Sequence, residues 1–150
     1  MVRRAQVADA AEVARLLHDF NSEFGAYTPG VERLTERVRE LIGRGAVTVL
    51  LGGDAPDGVA VLRFRPSLWS ESVDAYLEEL YVAPERRGQG LGRALLGAVL
   101  GAARAAGASR IELNTSEDDG AARALYERCG FTDRERPPDG PVMLFYERDL

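Results

Sequence analysis

Residues 82 to 93 read Val82-Ala83-Pro84-Glu85-Arg86-Arg87-Gly88-Gln89-Gly90-Leu91-Gly92-Arg93. A β-rich run, Asp74 to Ala83, precedes the glycines, and Pro84 stops it. After them Leu91, Ala94, Leu95, Ala98, Val99 and Ala102 recur at helical spacing until Gly107. Strand, tight glycine turn and helix, in that order, aim free backbone N–H groups at an anion. A helix N-terminus ordinarily attracts Asp or Glu. Residues 86 to 93 instead hold three arginines and no acid, which suits a bound phosphate or pyrophosphate. A turn that merely links strand to helix does not need three glycines at alternate positions, because each costs conformational entropy. The dinucleotide fingerprint fails at its third glycine, where Arg93 stands, and the Walker loop fails for want of lysine.

Working outward, the hydrophobic pattern places a first strand over residues 2 to 7 and a helix over 9 to 20. Val13, Leu16, Leu17 and Phe20 lie on its inner face, and Asp9 with Glu12 reads as a capping box. A loop over 21 to 30 leads to a second helix over 31 to 43. Strands over 46 to 51 and 58 to 64 flank Gly52 to Asp57 and predict a hairpin. A loop over 65 to 73 carries the only tryptophan, Trp69. Beyond the long helix come a strand over 110 to 115 and a helix from Asp118 or Asp119 to Cys129, capped by Gly130. Two last strands are expected over 131 to 136 and 141 to 149. The order β-α-α-β-β-β-α-β-α-β-β predicts an α/β fold of the α+β type, a mixed sheet with helices on both faces. No repeat or linker interrupts it, so residues 1 to 150 read as a single domain.

Composition narrows the function. The chain of 150 residues is 45% hydrophobic and 29% charged, with a formal net charge of −5, as in an ordinary globular protein. All nineteen basic residues are arginine, which excludes lysine-based Schiff-base chemistry. An acidic chain with no basic run is a poor general binder of nucleic acid. No apolar stretch reaches the length of a membrane span, and no apolar segment follows Arg3 and Arg4 as in a secretory signal. One cysteine, Cys129, and one histidine, His18, exclude an internal disulfide and a Cys/His zinc site, so no metal is expected. A cytoplasmic location is the expectation.

Two motifs give the chain a resemblance. Arg87-x-x-Gly90-x-Gly92 after Leu80-Tyr81-Val82-x-Pro84 resembles the acyl-CoA pyrophosphate loop of the GNAT superfamily of N-acetyltransferases. Ala122-Arg123-Ala124-Leu125-Tyr126-Glu127-Arg128-Cys129-Gly130-Phe131 resembles that family's Ala-x-x-Leu-Tyr-x-x-x-Gly-Phe helix. The element order agrees along essentially the whole chain. The family often has asparagine where Asp119 stands. The resemblance implies acetyl-CoA as co-substrate, with its pyrophosphate on the amides of Arg87, Gly88, Gln89, Gly90, Leu91 and Gly92. It implies that Leu80, Tyr81 and Val82 pair with the pantetheine arm. It also implies that Tyr126 serves the leaving thiolate.

Acetyl transfer to an amine requires a base as well, because an alkylammonium has a pKa of about 10. Glu78 and Glu79 are adjacent in a strand, so their side chains are expected on opposite faces. Glu78, nine residues before Arg87, is the favoured base by alignment with polyamine-acetylating relatives, and Glu79 is the second candidate. Read from periodicity alone, Tyr126 is a core tyrosine whose hydroxyl meets a backbone carbonyl, and it is the motif that favours the catalytic reading. Cys129 reads as a small core residue and His18 as a surface residue. The loops 21 to 30 and 65 to 73 offer Glu23, Phe24, Tyr27, Trp69, Glu71 and Asp74 to a cationic acceptor. The expected function is N-acetyl transfer to a small-molecule or peptide primary amine, with a homodimer compatible with the fold. A catalytically silent acyl-CoA-binding module is the alternative, and a nucleotide-binding domain is a third reading.

Overall fold

The computed structural model describes residues 1 to 150. They divide into two compact units, Met1–Leu113 and Asn114–Leu150. The first contains strand β1 (Val2–Arg4), helices α1 (Ala10–Glu23) and α2 (Val31–Gly43), and strands β2 (Thr48–Gly52), β3 (Gly58–Pro66) and β4 (Val73–Val82). Helix α3 (Leu91–Ala105) and strand β5 (Ala108–Leu113) complete it. The sheet order is β1-β2-β3-β4-β5. The first four strands pair antiparallel and β5 joins β4 in parallel, with α3 as the crossover between them. This is the mixed α/β sheet expected. The capping box differs: a 3-10 turn over Val7–Asp9 precedes α1, and Asp9 reaches back to accept from the Gln6 amide at 2.7 Å.

Strand alternation sorts the first unit's core into two faces. Val49, Leu51, Val59, Val61 and Tyr81 cluster with Val13 and Leu16 of α1 and Val38 and Leu41 of α2. Leu95, Leu96 and Val99 of α3 are fully buried on the opposite face. Burial of each such side chain contributes about 2 kcal/mol. Small residues allow α3 to approach: a Cβ on Gly58 would lie 2.7 Å from Leu95, and one on Gly52 would lie 2.8 Å from Leu91.

One irregularity governs everything downstream. Val61 pairs with Glu79, but Leu62 pairs with Leu77, so Glu78 is an extra residue bulged out of β4. The bulge reverses parity along the strand. Ala75 and Leu77 share the α3 face with Phe64 and Leu62, whereas Glu79 and Tyr81 share the α1/α2 face with Val61 and Val59.

The second unit contains one helix, α4 (Gly120–Arg128). Asp119 caps it by accepting from the Ala122 amide at 3.1 Å. At its other end Gly130 adopts φ 89°, Gly130 N donates to Glu127 O at 3.1 Å, and Phe131 N donates to Tyr126 O at 3.0 Å. These are the bonds of a Schellman cap, and the accompanying apolar contact is Phe131 on Tyr126, ring centroids 5.8 Å apart. The two final strands expected from the sequence do not form. Pro137 and Pro138 remove two donors, and the chain closes a short hairpin through Glu135 N to Pro141 O and Met143 N to Asp133 O. A single antiparallel bridge, Arg134 with Val142, is all the pairing that results.

Candidate active site

The glycine-rich segment begins with a 3-10 turn, Pro84–Arg86, closed by Arg86 N to Ala83 O at 2.9 Å and Arg87 N to Pro84 O at 3.3 Å. Backbone bonding resumes only at Ala94 N to Gly90 O, 3.0 Å. Between these points no backbone carbonyl takes the amides of residues 88 to 93. Gly88 and Gly90 have φ of 73° and 86°, a region that a side chain would strain, and nothing lies within 4 Å of where a Cβ would be. Gly90 is the N-cap of α3, so the free N–H groups coincide with the positive end of a 15-residue helix. A run of unpaired amides beside glycines can hold a pyrophosphate through main-chain donors alone. An open pocket of about 220 Å³ adjoins the loop, lined by Arg86, Gln89, Gly90 and Leu91 together with Met1 and Asp54.

The loop's arginine side chains have acidic partners from distant segments. Arg86 lies 3.6 Å from Asp57. Arg87 donates through Nε to Val82 O at 2.9 Å and through one terminal nitrogen to both Glu23 oxygens, at 2.9 and 2.7 Å. The excess positive charge read in residues 86 to 93 is therefore largely compensated.

The strand leading into the loop is open on one side. Pairing with β5 ends at Leu77 with Leu113, while pairing with β3 continues to Val82. Along residues 78 to 82 the edge of β4 that faces away from β3 has no strand partner, so its backbone groups can accept an extended ligand as a strand would. Leu80, Tyr81 and Val82 lie on this stretch and run directly into the loop. Tyr81 itself is 5% exposed and stacks on Phe20 at 5.0 Å, so what it offers a ligand is main chain.

The two carboxylates of β4 differ in environment. The bulge places Glu78 beside Arg63, on the α1/α2 face, and Arg63 Nε donates to Glu78 at 2.5 Å. Glu79, paired with Val61, points to that same face, not to the opposite one expected from simple alternation. It has no ion-pair partner. Burial, and secondarily the charge of Glu78, push its pKa up to about 7. A carboxyl group titrating there can accept a proton near neutrality.

Tyr126 sits three residues before the C-cap of α4, held by the Phe131 contact. Burial, with a smaller contribution from Asp119, pushes its hydroxyl up to about 12, so it remains a proton donor over the physiological range.

The segments expected to line the acceptor site have mixed fates. Tyr27 is 80% exposed and Trp69 is 94% exposed, and neither ring stacks on another. Glu23 is engaged by Arg87. Glu71 and Asp74 lie where β3 turns into β4, Asp74 paired in register with Arg65. His18, read as a surface residue, is half-buried and shares a hydrogen bond with Thr28 Oγ1 at 2.8 Å, which fastens the α1–α2 loop to α1. No group of three or more His, Cys, Asp or Glu is arranged to hold a metal ion, and no helix is long and apolar enough to cross a membrane.

The arrangement invites comparison with known proteins. A family model described as the acetyltransferase (GNAT) family matches residues 13 to 131, from α1 through the Schellman cap of α4. The chain belongs to the GNAT acetyltransferase family. This GNAT protein is 33% identical over 140 residues to an aminoglycoside N(6')-acetyltransferase type 1 of Stenotrophomonas maltophilia, covering 90% of this chain and 88% of the relative. It is 50% identical to a protein assigned as an acetyltransferase from Arthrobacter sp. FB24, whose crystal structure matches with a TM-score of 0.91 over 100% of this chain and 96% of that one. An aminoglycoside acetyltransferase from an uncultured soil metagenome, solved with sisomicin, has a TM-score of 0.79 at 18% identity over 99% and 96% of the two chains. That likeness is one of fold. GNAT acetyltransferases draw the acetyl group from acetyl-CoA, so the protein is an acyltransferase whose acceptors are amines in general.

Proposed function

We propose that this GNAT acetyltransferase moves an acetyl group from acetyl-CoA to a primary amine of a small molecule or peptide, by direct transfer in a ternary complex. The observation that carries the reading is the continuity of two main-chain surfaces. The open edge of β4 over residues 78 to 82 leads, through a single 3-10 turn, to the unpaired amides of residues 88 to 93. One surface suits an extended pantetheine arm and the other a pyrophosphate. Acetyl-CoA, when bound, supplies an activated thioester, and the chain orients it and manages protons.

Glu79 is the base in this proposal. Its raised pKa and lack of a cationic partner favour it over Glu78, the residue favoured by sequence alignment, whose charge Arg63 partly compensates. Main-chain N–H groups around Leu80 to Val82 polarise the thioester carbonyl. The Tyr126 hydroxyl delivers a proton to the departing sulfur. The exposed rings of Phe24 and Tyr27 favour a cationic acceptor, and the aminoglycoside-acetylating relative puts polyamino sugars among the first candidates.

The test is release of CoA thiol from acetyl-CoA across aminoglycosides, polyamines, amino acids, small aromatic amines and short peptides at mildly alkaline pH. Amine-dependent release is expected from at least one class. Tight acetyl-CoA binding with no release from any class would overturn the catalytic reading in favour of an acyl-CoA-binding module.

A further inference from the structure

Arg87 opens the glycine-rich loop, and its guanidinium is engaged by groups outside the loop. It spans Val82 O at 2.9 Å and both oxygens of Glu23, 64 residues distant in sequence. Its central carbon lies 5.6 Å from the centroid of the Tyr81 ring. Glu23 is the last residue of α1, and Phe20, one turn earlier, stacks on the same Tyr81 ring with an interplanar angle of 12°. The end of α1, the end of β4 and the first residue of the loop are thus fastened at one point.

That fastening answers a physical need. Gly88 and Gly90 make the loop soft, because glycine backbones range over many conformations. Amides that must converge on an anion bind it better when their geometry is fixed beforehand. Local bonding fixes it only in part: no backbone bond holds residues 88 and 89, and the one local tie is Gln89 Nε2 donating to Glu85 O at 3.0 Å. A charge-assisted fork on Arg87, the residue just before the soft stretch, can do so.

We propose that Glu23 is a positioning residue of the acyl-CoA site, holding Arg87 so that the loop amides are preset for the pyrophosphate. The proposal rests on reading the amides of residues 88 to 92 as the pyrophosphate cradle, the Arg87 amide being already bonded to Pro84 O. It gives Glu23 a task distinct from lining the acceptor pocket. It also makes Arg87 a brace for the loop and leaves phosphate binding to the amides.

The experiment compares acetyl-CoA with acetylpantetheine, which has the same thioester arm and no pyrophosphate. Dissociation constants are measured by calorimetry, the weaker ligand by competition, for the wild type, Glu23→Gln, Arg87→Gln and the double variant. The wild type should prefer acetyl-CoA strongly. Glu23→Gln should shrink that preference about fivefold, the size appropriate to a half-exposed, charge-assisted pair. The double variant should be no worse than Arg87→Gln, because the two residues act as one unit. An unchanged preference in Glu23→Gln, or an equal loss for both ligands, would overturn the role of Glu23 while leaving the cradle intact. A wild type with no preference for acetyl-CoA would overturn the cradle reading and the proposal with it.

Discussion

Glu78 and Glu79, consecutive residues of one strand, present their carboxylates to the same face of the sheet. The bulge that inserts Glu78 between the Leu62–Leu77 and Val61–Glu79 pairs accounts for this, and it leaves Glu79 half-buried beside a neighbour whose charge Arg63 partly compensates. Two chemically identical side chains are thereby given different proton affinities.

Activity should follow the ionisation of Glu79. With its pKa pushed up to about 7, kcat/KM is expected to rise with pH through that value and then level. Glu79→Gln should abolish this limb and lower kcat/KM by about a hundredfold. Glu78→Gln should keep the limb and shift it to lower pH, because a neighbouring negative charge has been removed. A limb that disappears in Glu78→Gln and survives in Glu79→Gln reverses the assignment.

Arg63 should tune the same limb without touching substrate. Arg63→Met leaves the Glu78 charge uncompensated, and Glu79 then ionises less readily. The pH–rate midpoint is expected to move to the alkaline side of its wild-type position. A midpoint that does not move would show that Arg63 has no influence on the base.

Stability carries a matching signature. The folded-state pKa of Glu79 lies above its ordinary value of 4.5. The folded protein therefore holds the proton more tightly than the unfolded chain between those limits. The associated stabilisation is complete below about 4.5 and is lost as pH rises through about 7. Urea midpoints measured from pH 4 to pH 8 should show this decline in the wild type, and Glu79→Gln should flatten it.

Tyr126→Phe removes one oxygen from a residue whose ring is held by the C-cap of α4. Turnover is expected to fall about a hundredfold, with acetyl-CoA affinity and melting temperature near those of the wild type. Because the hydroxyl is pushed up to about 12, the wild-type rate should show no alkaline fall attributable to it below pH 10 or so. Undiminished turnover in the variant would remove Tyr126 from the proton inventory.

Two glycines should fail for different reasons. Gly58→Ala puts a methyl group 2.7 Å from Leu95 on a packed helix, and about 1–3 kcal/mol of stability should be lost by overpacking. Gly90→Ala meets open space, so its penalty is confined to a positive φ, about 1 kcal/mol. Acetyl-CoA affinity should suffer more in the second variant than in the first. Denaturant curves and calorimetric titration of both separate the two effects.

Features set by neighbouring residues were legible in the sequence. Gly130 marked the end of α4 because a glycine takes the positive φ that a helix C-cap needs, whereas the seating of Phe131 on Tyr126 emerged only with the fold. The glycines at 88, 90 and 92 betrayed the loop for the same local reason. The pairs Arg63–Glu78 and Glu23–Arg87 were not legible, because each depends on a register or a helix position set by tertiary packing. The bulge itself was invisible, since a single extra residue does not disturb the β-rich pattern of 73 to 82. The last strands were misjudged because apolar residues 142 to 146 match a strand pattern whether or not a partner is in register.

The bulge at Glu78 also bears on how activity and robustness trade against each other. Removal of that one residue would leave Leu77 opposite Leu62 and Glu79 opposite Val61, a regular ladder with the core side chains still on their present faces. The hydrophobic interior therefore does not require the residue. A chain shortened by Glu78 should be a sturdier and less capable protein, with a straighter central strand and fewer exposed backbone groups along it. The irregularity exchanges ladder regularity for two neighbouring carboxylates on one side of the central strand.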